Sequence, residues 1–442
     1  MYALVDGNAF YVSAERSFRP SLQGQPVVVL SNNDGCAIAR SNEAKDLGIK
    51  MGEPAFRLKE LERTAGLISL SANFELYGDV SERMMAIVGS FAPRQSIYSI
   101  DESFLDFAGV NKDLTEIGWA IHAKVLMWTG IPTCVGFGPT KTLAKLANHI
   151  AKSAERKPGL YPAHLAKVCH LGELAQEELD KLLAVTPVQE VWGVGPRIGA
   201  QLEAAGIRTV LDLVRVDVAT IRKRFSLVLE KTVRELQGVS CISIDEVPQP
   251  RQQIMCSRSF GRPVMCEADL IEASSAFASR AAEKLRGQSS FAGAVSVFIR
   301  TSLFRLKDAQ YSGSITVPLV RPTSDTNLIV SAATRGLRAI FREGYRFAKC
   351  GVMLVDLQPE GLAQGELDLF VEGGAGEGAH EERRDRSKLM SAMDQVNARY
   401  GRGSLHVAST GVSQEKATWS MRQERRTPRY TTCLNEIPIA RA

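Results

Sequence analysis

The sequence contains no CxxC pair, and its six histidines show no metal-ligand spacing with its eight cysteines. That argues against a cysteine-based metal module and against a disulfide scaffold. The thiols, at 36, 134, 169, 241, 256, 266, 350 and 433, read as free and buried in a reducing compartment. Cys169 and His170 are adjacent but have no companion pair, so they read as ordinary helix residues. No apolar run is long enough to span a bilayer. No basic segment followed by an apolar run opens the chain, so no signal peptide is expected and a cytoplasmic location is. Internal repeats are absent. Net charge is only +5, too small by itself to name a partner.

What is present is a chain of 442 residues, enough for several domains at roughly 100–200 residues each. Its 45% hydrophobic and 23% charged residues are ordinary globular usage, sufficient for a sizeable core. The charge is unevenly placed. Residues 251–350 hold 15 Lys and Arg against 7 Asp and Glu, and that excess of 8 is larger than the net charge of the whole chain. A locally basic domain suggests a polyanion, nucleic acid first. A solvated basic surface accounts for the charge equally well.

Tyr2 to Val5 reads as a short strand ending at Asp6, followed by a helix over about 9–17. Val27 to Leu30 is a second strand, and Ala39 to Leu47 a helix stopped by Gly48. Asn73 to Phe91 has a helical period, as do Leu114, Ile117, Ile121 and Val125. Pro132 to Phe137 is a strand, and Thr140 caps the next helix. This alternation predicts an α/β or α+β domain over roughly the first 165 residues. A helical segment follows over about 171–237. Strands at 255–259, 294–300, 312–319 and 352–357, with helices near 269–286 and 326–341, predict a second, basic α+β domain. "EGGAGEGAHEERRDR" is poor in apolar residues and reads as a flexible linker. A helix over about 387–398 and a polar, basic terminus complete the chain.

The stretch "IYSIDESFLDF" is built for a strand pair, yet Asp101 and Glu102 sit in its middle. A solvated hairpin turn is one explanation. A metal site is the other, because Mg²⁺ prefers oxygen donors and takes one or two protein carboxylates beside substrate phosphates. Asp6, at another strand end, is a candidate third acid. Phe10 and Tyr11 lie on the helix leaving Asp6. The helix after Thr140 has Leu143, Leu146 and Ile150 as its buried stripe, and Lys141, Lys145 and Lys152 on one exposed face. Those lysines are either a solvated face or phosphate contacts beside the metal. Asp106, farther along the strand, is left unassigned, a surface acid being the plain reading.

"LVDGNAFYVSAE", "VVVLSNNDGCAIARSNEAKDLGIKMG", "YSIDESFLDF" and "GPTKTLAKLANHIAK", in that order, resemble the Y-family translesion DNA polymerases, in particular the UmuC branch. The resemblance covers nearly the whole chain, including "PRYTT" near the end. It implies an α+β multidomain right-hand polymerase. Residues 1–18 and 73–165 would form a ferredoxin-like palm, 19–72 small fingers, and 166–240 a helical thumb with a helix-hairpin-helix. Residues 241–357 would be an α+β little finger, 358–386 a flexible linker, and 387–442 a partly flexible UmuC-type C-terminal region.

By that resemblance Asp6, Asp101 and Glu102 are catalytic, and with the Gly7 carbonyl they hold two Mg²⁺ ions. Tyr11 is a steric gate that leaves no room for a 2′-OH, and Phe10 is its neighbour in the nucleotide pocket. Lys45 and Lys152 contact the triphosphate. Lys45 replaces an arginine and so loses the bidentate fork. Asn42 and Ala39 stand where other branches carry Tyr and Thr. Gly193 and Gly195 in "GVGPRIGAQL" would let backbone N–H groups reach a DNA phosphate. Arg258, Arg262, Arg300 and Arg305 are candidate DNA-backbone contacts. "GELDLF" resembles a sliding-clamp peptide anchored by Leu367, Leu369 and Phe370, with Glu366 in place of the usual Gln. The C-terminal region suggests a UmuD′ dimer and RecA as further partners. The expected substrates are primer–template DNA and dNTPs, the expected activity error-prone synthesis across damaged DNA in the SOS response, and the short fingers would enclose the nascent base pair loosely. A palm-type nucleotidyl cyclase and a non-catalytic DNA-binding or clamp-adaptor protein are the competing readings.

Overall fold

A strand with two buried faces organises the first of two compact units. β1 (Tyr2–Gly7) lies at the centre of a five-stranded sheet with β5 (Arg94–Ile97), β6 (Glu102–Asp106), β7 (Thr133–Gly138) and β8 (Val168–His170), in the order β5-β6-β1-β7-β8. The structure is a computed structural model. It describes residues 1–244, 250–360, 386–401, 403–411 and 417–437. The clamp-like peptide with Leu367, Leu369 and Phe370 lies outside the described residues, as does most of the expected linker.

Side chains alternate across a strand. Ala3 and Val5 of β1 enter the large core formed with α1 (Phe10–Phe18), α4 (Phe74–Gly89) and α5 (Leu114–Thr129). Leu4 faces the other way, packing with Phe104 and with Ala144 of α6 (Lys141–Arg156). Asp6 and Glu102, two residues from Leu4 and Phe104, therefore look toward α6. Thr140 caps α6 as expected, its hydroxyl accepting from Leu143 N at 3.2 Å. The helix lies directly on β7, because Gly136 and Gly138 present no Cβ to its backbone.

A smaller sheet, β3-β2-β4, joins β2 (Val27–Leu30), β3 (Ala37–Arg40) and β4 (Ile68–Ser71), with α2 (Asn42–Asp46) and α3 (Ala55–Thr64) beside it. The helix expected from Ala39 starts only at Asn42. Ala39 and Arg40 pair with Val29 and Val28 instead, since a neighbouring strand satisfies their backbone groups. Five short helices follow: α7 (Gln176–Val185), α8 (Pro196–Ala204), α9 (Val210–Arg215), α10 (Val218–Arg224) and α11 (Leu227–Leu236). Buried Glu235 of α11 accepts from Thr142 N at 3.0 Å, an acid at the positive end of α6.

The second unit, 248–423, carries a four-stranded antiparallel sheet in the order β11-β10-β12-β9. Its strands are β9 (Ile254–Val264), β10 (Ser290–Thr301), β11 (Ser312–Thr323) and β12 (Phe347–Pro359). α12 (Glu267–Arg286) and α13 (Thr326–Ile340) bury one face of it. α14 (Ser387–Tyr400) is tied to this unit by a bidentate Arg286–Asp394 pair at 2.7 Å.

Three expectations are corrected. Cys169 and His170 belong to a strand edge, not a helix. Asp106 is 3% exposed, pairs with Arg94 and accepts from Ala108 N at 2.8 Å, so it is a structural acid. Of the eight free thiols, four are buried and Cys266 is exposed. The C-terminal segment adds a fourth point: residues 424–437 return to the first unit, through partners hundreds of positions away in sequence.

Candidate active site

The turn between β5 and β6 is a built structure. Tyr98 N and Ser99 N donate to the Glu102 carbonyl at 3.0 and 3.1 Å. Ser99 Oγ donates to Asp101 Oδ1 at 2.6 Å and accepts from Glu102 N at 3.1 Å. The Gly7 N–H donates to the Asp101 carbonyl at 2.8 Å, joining the turn to the end of β1. Asp6 lies directly across from Glu102 in the antiparallel register. The three acids thus meet at one end of the sheet through backbone pairing alone.

α6 supplies the countercharge. Lys145 Nζ donates to both Glu102 oxygens at 2.7 and 2.9 Å and lies 4.7 Å from the centre of the Tyr98 ring. Lys152 is paired with Asp6. Lys141 does not share that face: it is 6% exposed and donates to the Ser243 carbonyl at 2.7 Å.

As the side chains stand, the carboxylates do not converge on a point. Among the described residues no three Asp, Glu, His or Cys side chains meet closely enough to hold a metal ion. The physical reason is visible: each lysine draws one acid toward itself, and Ser99 holds the third. The donor set nonetheless fits a hard cation. Asp6 is only 6% exposed, and its Oδ1 has no hydrogen-bond partner among the described residues. An orphaned buried carboxylate oxygen is costly unless a positive charge meets it.

Burial pushes the Asp6 carboxyl up to about 7. Lys152 opposes the rise, and the negative charges of Glu102 and Asp101 add to it. The folded chain therefore binds this proton more tightly than the unfolded chain. The group favours folding below about pH 4, and that contribution is lost as pH rises through 7. A divalent cation bound at this carboxylate would compete with the proton. The Mg²⁺-induced rise in melting temperature is expected to be larger at pH 8 than at pH 5.5. Thermal melts with and without Mg²⁺ check this, and an Asp6→Asn variant is expected to lose the pH dependence.

Tyr11 stands on α1 beside the acids. The preceding Ala9 adopts a left-handed conformation, φ 46°, which is uncommon for a residue with a Cβ and aims the start of the helix. Tyr11 is half-buried and stacks on Tyr77, centroids 4.5 Å apart with planes 17° apart, and Phe74 meets it edge-on. Burial, and then the charge of Asp101, push its hydroxyl pKa up. Phe10, by contrast, is a core residue beneath Gly7, where a Cβ would meet its ring at 3.0 Å. It is not part of an open pocket wall.

Lys45 belongs to a cationic cluster larger than the sequence suggested. Burial lowers its pKa, and Arg156, Arg40 and Lys152 lower it further. Asn42 Oδ1 binds two of these groups, accepting from Arg156 Nη1 at 2.6 Å and from Lys45 Nζ at 3.2 Å. Arg40 donates to the Ile49 carbonyl at 2.6 Å. Arg40 and Arg156 were not among the residues expected from sequence. Arg156 could have been found, because it follows Lys152 by one helical turn on the same face.

Gly193 has φ 88°, a conformation that favours glycine, and Gly195 precedes the first residue of α8. Both are exposed, and a Cβ on Gly195 would meet nothing within 4 Å. Next to them, Trp192 donates to the Tyr98 hydroxyl at 3.2 Å. In the second unit, Arg300 pairs with Lys349 on the sheet face away from the helices. Arg258 pairs with buried Cys350 on the opposite face and is flanked by Phe277 and Trp419. Arg262 and Arg305 are exposed, and Arg305 is within 3.9 Å of Asp308. The four arginines therefore do not form one row.

Residues 5–149 match the model of the impB/mucB/samB family, and residues 251–367 match that family's C-terminal domain. The chain is 45% identical to the protein UmuC of Salmonella typhimurium strain LT2 over 99% of both chains. The chain belongs to the impB/mucB/samB family. A DNA polymerase IV of Moorella thermoacetica is 30% identical over 92% of this chain and 96% of its own. A Y-family DNA polymerase chimera of known structure has the same fold, with a TM-score of 0.62 at 18% identity, over 81% of this chain and 99% of its own. Residues 387–440 match a model described only as a domain of unknown function, DUF4113. Among the described residues no helix is long and apolar enough to cross a membrane.

Proposed function

We propose that Asp6, Asp101 and Glu102 are the catalytic carboxylates of a template-directed, error-prone DNA polymerase that copies damaged templates in the SOS response. The observation that carries this reading is the antiparallel β1–β6 pair, which sets Asp6 opposite Glu102 above a helix of lysines. It occurs in a chain that is 45% identical to a UmuC protein over nearly its full length. Residues 1–18 and 73–165 then act as palm, 19–72 as fingers, 166–240 as thumb and 241–357 as little finger.

Two Mg²⁺ ions held by the three acids and the Gly7 carbonyl would lower the pKa of the primer 3′-OH and neutralise the triphosphate and departing pyrophosphate. The rest falls to the chain. Lys45 and Lys152, with Arg40 and Arg156, bind the triphosphate and hold its α-phosphorus in line with the primer hydroxyl. Lys152, paired with Asp6 here, would be released to the phosphates where a cation neutralises that carboxylate. Phe10 acts from below, packing under Gly7 to fix the end of β1. The N–H groups at Gly193 and Gly195 bind a DNA phosphate at the start of α8. Arg262, Arg300 and Arg305 touch the DNA backbone, while Arg258 braces its own sheet face against Phe277 and Trp419. Such contacts are independent of sequence and weaken with salt.

Tyr11 lies under the sugar and excludes a 2′-OH by overlap. Forcing extra atoms against a packed ring costs about 1–3 kcal/mol, which is roughly 5-fold to 150-fold in selectivity. Tyr11→Ala is expected to raise rNTP incorporation by that factor while dNTP incorporation persists. Unchanged sugar selectivity would refute the gate.

The UmuC-type chain further implies a UmuD′ dimer, RecA and a sliding clamp as partners in the cytoplasm, the clamp through Leu367, Leu369 and Phe370. The direct test is primer extension across an abasic site with Mg²⁺ and dNTPs, using the chain alone and with those partners. Extension is expected. Its absence under every condition favours a non-catalytic adaptor.

A further inference from the structure

The C-terminal segment 424–437 returns to the first unit after the whole of 248–423 has intervened. It is fastened there at several points. Ser71 N donates to the Arg425 carbonyl and Arg425 N to Ser71 Oγ, both at 3.0 Å. Tyr430 stacks on Phe18 with centroids 5.0 Å apart and planes 5° apart. A tether needs no more than this.

Thr427 goes further. It is 4% exposed, and Asn73 Nδ2 donates to both its carbonyl and its hydroxyl at 3.1 Å. With that acceptor role filled, the hydroxyl proton points at Glu15 Oε1, 3.1 Å away. Glu15 is fully buried on α1, and the same oxygen accepts from the Tyr77 hydroxyl at 2.7 Å. Tyr77 is the ring stacked under Tyr11. A continuous line of contacts thus runs from the C-terminal segment to the proposed sugar gate. Every member between the ends is buried, so each has few alternative rotamers.

A buried carboxylate is an expensive way to join two helices. Burial raises the Glu15 pKa, and the two hydroxyl donors oppose the rise. Apolar residues would hold α1 to α4 more cheaply. What they would lack is direction: two hydroxyls donating to one oxygen fix both the Thr427 side chain and the tilt of the Tyr77 ring.

We propose that the C-terminal segment is a positioning element of the nucleotide site, in which Thr427, through Glu15 and Tyr77, sets the Tyr11 ring against the sugar. This rests on the reading of Tyr11 as the gate. It gives a role to a region whose family model carries none, and it makes sugar selectivity depend on the far end of the chain.

The test uses the full chain with its partners and measures kcat/KM for a dNTP and the matching rNTP opposite the same template base. Thr427→Val removes the donor and keeps the shape. It is expected to lower the dNTP:rNTP selectivity roughly tenfold, below the about 100-fold cost of a catalytic group misplaced by an ångström. Thr427→Ser is expected to restore most of it. Tyr77→Phe keeps the stack, loses the hydroxyl, and is expected to match Thr427→Val, with the double variant no worse than either alone. A segment that only tethers would lower both kcat/KM values together and leave their ratio unchanged. That outcome in Thr427→Val and Tyr77→Phe overturns the proposal. If Thr427→Val does not fold, Tyr77→Phe decides alone. Tyr11→Ala separates the two layers: relaxed selectivity there with none in the other variants rejects only the role of the segment, and unchanged selectivity there rejects the gate itself.

Discussion

An Asp101→Ala/Glu102→Ala variant is expected to lose primer extension by at least about 10³-fold while remaining folded. Groups that place charge against a developing transition state contribute several kcal/mol, and each 1.36 kcal/mol is about tenfold in rate. Folding should tolerate the change. Neither residue is fully buried, and the turn keeps its Ser99 N and Tyr98 N bonds to the carbonyl of residue 102. Lys145 loses its carboxylate but keeps solvent and the Tyr98 and Trp192 rings. The stability cost is expected to be about 1–2 kcal/mol, a shift of a few degrees in melting temperature. Circular dichroism melts alongside single-turnover extension separate the two effects. Extension that survives in a folded variant would remove the carboxylates from the mechanism. Loss of extension only in step with unfolding would make them structural.

Gly136→Ala is expected to cost about 3 kcal/mol of stability or more, although the change adds one methyl group. A Cβ at Gly136 would fall 2.5 Å from the Ala144 carbonyl oxygen and 2.7 Å from the Ala147 carbonyl carbon. These are backbone atoms in a helix packed on the strand, so no side-chain rotation relieves the overlap. α6 would have to lift from β7. Asn148, which bonds the Cys134 carbonyl at 2.7 Å and the Leu4 carbonyl at 3.3 Å, would lose both partners. Lys145 and Lys152 ride on the same helix, so activity is expected to fall beyond the loss of folded protein. Gly78→Ala is the contrasting substitution. That glycine is exposed in α4 with nothing within 4 Å of an added Cβ. It is expected to raise stability by about 0.5–1 kcal/mol, by removing backbone freedom from the unfolded chain. Denaturant titration of the two variants compares them directly; equal midpoints would refute the packing argument.

The two glycines illustrate what could be read in the chain and what could not. Both sit in regular elements, and nothing local distinguishes them. Local signals did locate most elements. Thr140 marks the start of α6, the helical period marks α4 and α5, and the β-favouring and apolar residues around Phe104 and Leu105 mark β6. Where a segment's preference was ambiguous, the partner decided. Ala39 and Arg40 extend as β3 because β2 offers hydrogen bonds, and Asp106 is buried because Arg94 stands on the neighbouring strand.

The residues of the proposed site were legible to a similar depth. Asp6, Asp101 and Glu102 stood out because acids are out of place at the ends of apolar strands. Lys145 and Lys152 followed from their spacing. Lys141 was misplaced on the exposed face, since its burial depends on Ser243, about a hundred residues on. Arg40 and Arg156 were missed, because their link is Asn42, a neutral residue reached from two different elements.

By itself, the sequence determined the periodic faces, the caps, the order of motifs and, through those motifs, the family. These are local properties, set by side chains within a few positions of one another. Tertiary structure alone decided which acids each lysine neutralises, that Phe10 lies in the core while Tyr11 stays half-exposed, and that Thr427 reaches Glu15 from 412 residues away. Such contacts arise from strand register, helix packing and the return of a distant segment. No pattern within a window of sequence encodes them, because each requires two parts of the chain to be brought together first.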